Sequence, residues 1–501
     1  MKKYNVFKVL SIATLVAILV SFIIPQSQLS YTGITKGKIN PITFIDTTSN
    51  MITTFSVFIA TFIYILAIGI LYSVIKKTDK YDAVINNTAV KFKNNKKLFV
   101  IVSVLTFAIL TAIIGDVLPA IIFVPAFIDI AKKLGYDSKS SILSTVGAII
   151  IGSASSLYTN FTNQILATTV STNIFVKLVS LVVSLILLII FIIFTSKPTN
   201  VKIEKVKVKK GLPITIAFDV ILVLLILGMV PWKAYFGFEG FANFHQAIVD
   251  FKVFKVSLFN AFIGSSLVAF GEWSIYSLIV LLLVVSVVLA IIYSIKIDGL
   301  FESISNGIKK ALPYAFILII ADTILVGVYN SGFFITIISA LGKMKDTIVS
   351  STTLSALSAL VYPDYSYASQ FTLSTLAAVI SKKAIFTTIA IIFQLIYSLM
   401  LLISPTSIIM LMALKYEDVR YKDWVKYIYK FFLGMLIIFF IIIIVIGNKF
   451  VKPISYVVLA VLIIILALFF ILCRGKKEEK KEVTTKKETT KKKTNSKTKK
   501  K

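Results

Sequence analysis

The chain has 501 residues, 57% of them hydrophobic and 15% charged, with a formal net charge of +30 and a single cysteine. That balance excludes a soluble globular protein, and the long unbroken apolar runs exclude an outer-membrane barrel, whose strands would alternate. The charge does not mark a nucleic-acid binder, because much of it sits in one terminal tail, and a lone cysteine forms no internal disulfide.

In chain order, the first apolar run, 7–25, follows "MKKYNVFK" and meets Pro25 with no small-residue cleavage site. It therefore reads as a span and not as a signal peptide. Further simple spans are expected at 53–75, 175–195, 213–231, 274–295, 311–328, 428–447 and 454–473, each near the roughly 20 helical residues that cross a hydrocarbon core. Three longer apolar regions, 98–131, 141–172 and 345–412, are interrupted by glycine, proline or clustered hydroxyl residues. From Arg474 the chain becomes a Lys, Glu and Thr string with nothing apolar to build a core, expected to be a disordered cytoplasmic tail drawn to anionic headgroups.

Orientation follows from the basic residues. With the N-terminus and C-terminus cytoplasmic, the Lys-rich loops 76–97, 196–211 and 413–430 all fall inside, and 41 of the 53 Lys and Arg lie inside against 12 outside. Lys343, Lys345, Lys382 and Lys383, which flank the last interrupted region, are among the twelve.

Region 98–131 carries "GDVLP" at its centre, with "NNKK" before it and "KK" after it. As one straight helix its 34 residues would span about 51 Å, too long for one crossing, while two crossings need about 40 residues. A re-entrant hairpin from the cytoplasm satisfies both limits, and its tip should line a cavity, since exposed peptide groups at membrane depth need protein or water beside them. "SALVYPDYSYASQFTLSTL" reads as a second hairpin, about 345–381, entered from outside. Each is followed by a segment broken by polar residues: "GSASSLYTNFTNQIL" within 141–172, and "LLISPTSIIMLMAL" within 384–412. The fold expected is an all-α polytopic membrane protein of inverted repeats, with two re-entrant hairpins and two broken helices. Residues 1–195 form the first repeat and 274–447 the second. Residues 196–273 supply a linking span and outer loop, 448–473 an extra span and 474–501 the tail.

This layout resembles the ion transporter superfamily, and within it the YfcC-like group of amino acid and carboxylate carriers, relatives of the AbgT and divalent anion/sodium symporters. The resemblance rests on "LLISPTSIIMLMALKYEDVRYKDWVKYIYKFFLGM", supported by "DGLFESISNGIKKALPYAFILIIA", "VPAFIDIAKKLGYD" and "GAIIIGSASSLYTNFTNQI", and covers most of residues 40–447. It implies an elevator-type displacement of hairpins and broken helices against a scaffold, and a homodimer. The chain departs from the pattern where Tyr362, Tyr365 and Tyr367 crowd a tip that relatives fill with Ser and Gly, and where Asp322 stands beside the position at which relatives often carry an arginine.

A carrier needs dipoles and charges that replace a solute's hydration shell. Ser155, Ser156, Thr159, Asn160, Thr162 and Asn163 line the first break, and Ser404, Thr406 and Ser407 the second, where Pro405 frees a carbonyl. These hydroxyls suit a Na+ site, and they equally suit close helix packing. Asp116, Asp322 and Asp364, with Ser366 at the second tip, are the acidic and polar candidates within the membrane, where an unpaired charge costs at least about 2.5 kcal/mol. Three acids with no lysine or arginine deep in the bilayer favour a cationic or zwitterionic solute. His245 has no second ligand beside it, and no phosphate-binding loop occurs.

The function expected is secondary active transport of a small organic solute, an amino acid first and a dicarboxylate or peptide-like carboxylate as the alternative. No cofactor is called for, with Na+ or H+ as coupling ion. A membrane-embedded transferase would need paired carboxylates or a histidine in a wet loop, and a non-transporting scaffold would act through the tail.

Overall fold

The computed structural model describes residues 5–465, apart from 32, 159, 169–172, 207–210, 254–255, 263, 265–267 and 381–382. Cys473, the tail and the second half of the expected span 454–473 lie outside the described residues. The protein is an all-α polytopic membrane protein. Among the described residues eight helices are long and apolar enough to cross a membrane, and only two small hairpins of strand occur.

Helix α1 (Asn5–Ser21) leads into the hairpin of β1 (Ser27–Ser30) and β2 (Gly33–Lys36). Helix α2 (Phe44–Lys77) starts at a reciprocal cap in which Thr43 and Asp46 satisfy each other's backbone N–H. At 34 residues it is about 51 Å long and outruns the span expected at 53–75. Its partner α15 (Ile297–Ser331) likewise outruns 311–328. Both continue past the bilayer on polar turns that hydropathy alone discards. The two pack along their length, and two glycines make the crossing close: a Cβ on Gly69 would stand 2.7 Å from the Gly307 carbonyl oxygen, and one on Gly307 would stand 2.6 Å from the Ile70 Cα.

Helix α3 (Tyr81–Phe92) precedes the first hairpin, whose outgoing arm is α4 (Lys96–Ile114), capped by Asn95. The chain turns at 115–118 and returns through a 3-10 turn, Pro119–Phe123, into α5 (Val124–Lys133). Both ends of this hairpin meet one residue: Lys96 Nζ donates to the Thr199 carbonyl at 2.7 Å, and Thr199 N–H donates to the Gly135 carbonyl at 2.9 Å. The outgoing arm, about 28 Å by its 19 residues, reaches almost across a hydrocarbon core.

The first broken helix runs through α6 (Ser138–Ile142), a π-helical turn Leu143–Gly147 and α7 (Ala148–Ala154), then resumes as α8 (Asn160–Ile165). Helices α9 (Ile174–Thr195) and α10 (Leu212–Met229) follow. The segment 232–273 holds α11 (Trp232–Phe236), α12 (Gly240–Asp250), the strand pair β3 (Lys252–Val253) and β4 (Val256–Ser257), and α13 (Leu258–Phe262). After α14 (Ile275–Ile292) and α15 comes α16 (Phe333–Gly342).

The second hairpin pairs α17 (Thr347–Val361), capped by Asp346, with α18 (Tyr365–Val379), and its arms are tied by the hydroxyls of Ser358 and Thr372 at 2.8 Å. The second broken helix is α19 (Phe386–Met400), then 401–407, then α20 (Ile408–Tyr416). Helices α21 (Tyr421–Ile446) and α22 (Pro453–Ile465) close the described chain.

One end of the bundle gathers the basic loops into a polar network. Lys77 pairs with Glu302 at 2.6 Å, Tyr81 donates to Asp129 at 2.8 Å, Asn86 donates to the Glu204 carbonyl at 2.6 Å, and Lys132 pairs with the buried Glu417 at 2.6 Å. Helices α9, α10, α14 and α21 are the least buried of the eight, and exposed residues such as Ile186, Val223, Val284 and Ile441 give them apolar outer faces.

Candidate functional site

The first tip is built by the end of α4. Gly115 takes φ +84°, a conformation that favours glycine, and its N–H bonds the Thr111 carbonyl. Asp116 turns back on the chain, its Oδ1 accepting the Leu118 N–H at 3.0 Å. Carbonyls freed by the irregular backbone are taken by tyrosines: Tyr64 donates to Leu118 O at 3.0 Å, Tyr72 to Ile122 O at 2.8 Å and Tyr235 to Ile113 O at 2.7 Å. The first break docks on this tip, with Leu157 N–H donating to Ala112 O at 2.9 Å, and a Cβ on Gly115 would stand 2.2 Å from the Tyr158 carbonyl oxygen.

The second half repeats the arrangement. Asp364 caps α18, accepting the Tyr367 N–H at 3.0 Å, and Tyr397 donates to the Tyr362 carbonyl at 2.7 Å. The second break docks on this tip through side chains: Ser404 donates to Ala359 O at 2.6 Å and Thr406 to Leu360 O at 3.2 Å. Its own carbonyls are held by α21, where Trp424 donates to Leu402 O at 2.8 Å and Tyr421 donates to Ile403 O.

Side-chain bonds at the breaks help join the halves. Ser153 and Ser398 share a hydroxyl bond at 3.2 Å, Gln394 Nε2 donates to the Ser156 carbonyl at 2.6 Å, and the hydroxyls of Thr162 and Tyr365 meet at 3.0 Å. Each break also holds one buried hydroxyl without a protein partner, Ser155 in the first and Ser407 in the second. Asp322, fully buried in α15, has no partner on either oxygen. The three acids are spread over the site: Asp116 on the first tip, Asp364 on the second and Asp322 in α15.

The remaining sequence candidates divide as follows. Ser156 is occupied locally, donating to Tyr158 O at 2.8 Å, and Asn163 accepts the Thr168 hydroxyl at 3.0 Å. Pro405 and Ser366 are half-buried, in the second break and in the first turn of α18. Thr159 and the side chain of Asn160 lie outside the described residues. Gln394 went unread because a single amide in an apolar helix carries no periodic signal. Lys177, which position alone counts among the outer lysines, is 6% exposed and its Nζ lies 3.5 Å from the Leu157 carbonyl in the first break. Among the described residues no three His, Cys, Asp or Glu side chains group as a metal site.

Two hairpins and two broken helices that meet with unpaired hydroxyls and acids, inside a polytopic bundle, define a membrane transporter. Residues 2–448 match the model of the C4-dicarboxylate anaerobic carrier family DcuC, and the chain belongs to that family. No curated protein matches. The chain is also similar to two solved transporter structures. The Alcanivorax borkumensis YdaH transporter is 11% identical, with 90% of this chain and 99% of that one covered at a TM-score of 0.40. Neisseria gonorrhoeae MtrF, from a class of antimetabolite efflux pumps, is 12% identical, with 88% and 94% covered at 0.38.

Proposed function

We propose that the protein is a secondary carrier of C4-dicarboxylates. The observation that carries the reading is the meeting of two interrupted helices, with buried Ser155 and Ser407 unpartnered in the breaks, Lys177 turned to the first break, Asp364 on the second tip and unpartnered Asp322 buried in α15. Such a junction offers groups that replace a solute's hydration shell, and membership of a family described by C4-dicarboxylates supports that solute. Asp116, Asp322 and Asp364 are the coupling-cation groups, taking Na+ or H+, because a dianion crossing beside three acids needs its charge offset. Hydroxyls and freed carbonyls of the breaks, including the carbonyl that Pro405 leaves unbonded, complete a Na+ site.

In this reading residues 1–195 and 274–447 are the two repeats, the termini are cytoplasmic, the membrane is the cytoplasmic one and the carrier is a homodimer. The hairpins and broken helices move as an elevator against α2 and α15. A second reading, an amino acid carrier of the YfcC-like kind, is favoured by the same three acids, which would receive an α-amino group.

Uptake into proteoliposomes separates the two. Radiolabelled succinate should accumulate under an imposed Na+ or pH gradient, and a panel of amino acids should neither accumulate nor compete. Accumulation of amino acids alone would replace the first reading with the second. Asp116→Asn, Asp322→Asn and Asp364→Asn, made singly, should alter ion dependence, and unchanged ion dependence in all three removes them from coupling.

A further inference from the structure

We infer that Lys177 is the cation that receives one carboxylate of the transported solute; this deepens the dicarboxylate reading and rests on it. Lysine near the end of a membrane helix ordinarily extends its ammonium to the headgroups. Lys177 does the opposite. It lies in the first turn of α9, is only 6% exposed and turns inward to the first break.

That position is doubly unfavourable for a permanent structural cation. The start of a helix carries the positive end of its dipole, and burial strips the ammonium of water. None of the ion pairs among the described residues includes Lys177. Its bond to the Leu157 carbonyl is stretched to 3.5 Å and uses one of three donors.

The surroundings point to an anion. Leu157 sits two residues from Ser155, whose buried hydroxyl has no protein partner, and beside Tyr158, whose carbonyl abuts Gly115 of the first tip. A carboxylate placed here would take a charge-assisted bond from the ammonium and a second bond from the Ser155 hydroxyl. Of the acids, Asp116 stands on the first tip, Asp364 caps α18 at the second and Asp322 lies buried in α15. The junction therefore offers one direct cation, at the first break, together with carboxylates that need cations of their own. A solute with two carboxylates has an end for each.

The test compares wild type, Lys177→Gln and Lys177→Arg in proteoliposomes loaded for succinate uptake. Gln keeps a donor for the Leu157 carbonyl, and Arg keeps the charge. We expect K177Q to raise the succinate KM by about tenfold or more with its melting temperature little changed, and K177R to recover most of that loss. A K177Q protein with wild-type KM, or a melting temperature lowered equally in both variants with KM unmoved, overturns the assignment.

Should K177Q fail to fold, the wild-type protein is treated with an amine-reactive reagent and read by mass spectrometry. Succinate should shield Lys177 severalfold, and unchanged labelling overturns the assignment. If wild type moves an amino acid and not succinate, the dicarboxylate reading fails by itself. The same KM comparison, run with that amino acid, then decides whether Lys177 receives its α-carboxylate.

Discussion

Replacing Gly115 by alanine tests the contact between the first hairpin and the first break. Two costs add. The backbone at φ +84° penalises any side chain by about 1–3 kcal/mol. The new Cβ would also stand 2.2 Å from the Tyr158 carbonyl oxygen, so tip and break must part by about 1 Å. That movement strains the 2.9 Å bond from Leu157 N–H to Ala112 O, worth a further 0.5–1.5 kcal/mol or so. The sum is about 1.5–4.5 kcal/mol. If half of it falls on the transport-competent geometry, uptake drops about tenfold, since 1.36 kcal/mol is a factor of ten. The assay is a thermal melt in detergent paired with initial uptake rates in proteoliposomes. Gly434→Ala is the matched control. No atom lies within 4 Å of its added Cβ, and a mid-helix alanine gains about 0.5–1 kcal/mol over glycine, so it should melt no lower than wild type. A G115A protein with wild-type melting and uptake would refute the packing described for the tip.

Lys132→Ala should destabilise more than Glu417→Gln, because it leaves the fully buried Glu417 carboxylate without its partner while the amide keeps an acceptor. The expected cost of K132A is about 1–3 kcal/mol, moderated by the 46% exposure of the Lys132 side chain, and adding E417Q should restore part of the lost melting temperature. Trp424→Phe keeps the ring but orphans the Leu402 carbonyl, and a fall of about 2 kcal/mol in stability should accompany it in denaturant or thermal melts. Gly69→Leu should abolish accumulation of folded protein, read by size-exclusion chromatography, since a Cβ there already meets the Gly307 carbonyl.

Much of this architecture was legible because breaks in apolar runs carry a physical cost that sequences do not pay idly. Gly115, Asp116 and Pro119 mark the first turn, Pro363 and Asp364 the second, and Ser404 with Pro405 the second broken helix. What escaped the reading depends on direction. Lys177 stands at a span end like any snorkelling lysine, and only the fold turns it inward. Tyr64, Tyr72, Tyr235 and Tyr397 look like core aromatics, although their hydroxyls satisfy the carbonyls of the irregular segments. The length of α2 and α15 was hidden because their polar turns have no apolar signature.

The bonds from Gln394 to Ser156, from Ser153 to Ser398 and from Thr162 to Tyr365 rivet the two halves of the junction together. Parting the halves breaks all three bonds, each worth about 0.5–1.5 kcal/mol. In the elevator reading proposed above, such a block would carry its cargo without its halves parting to open a continuous wet path, and a coupling gradient would not leak away through it.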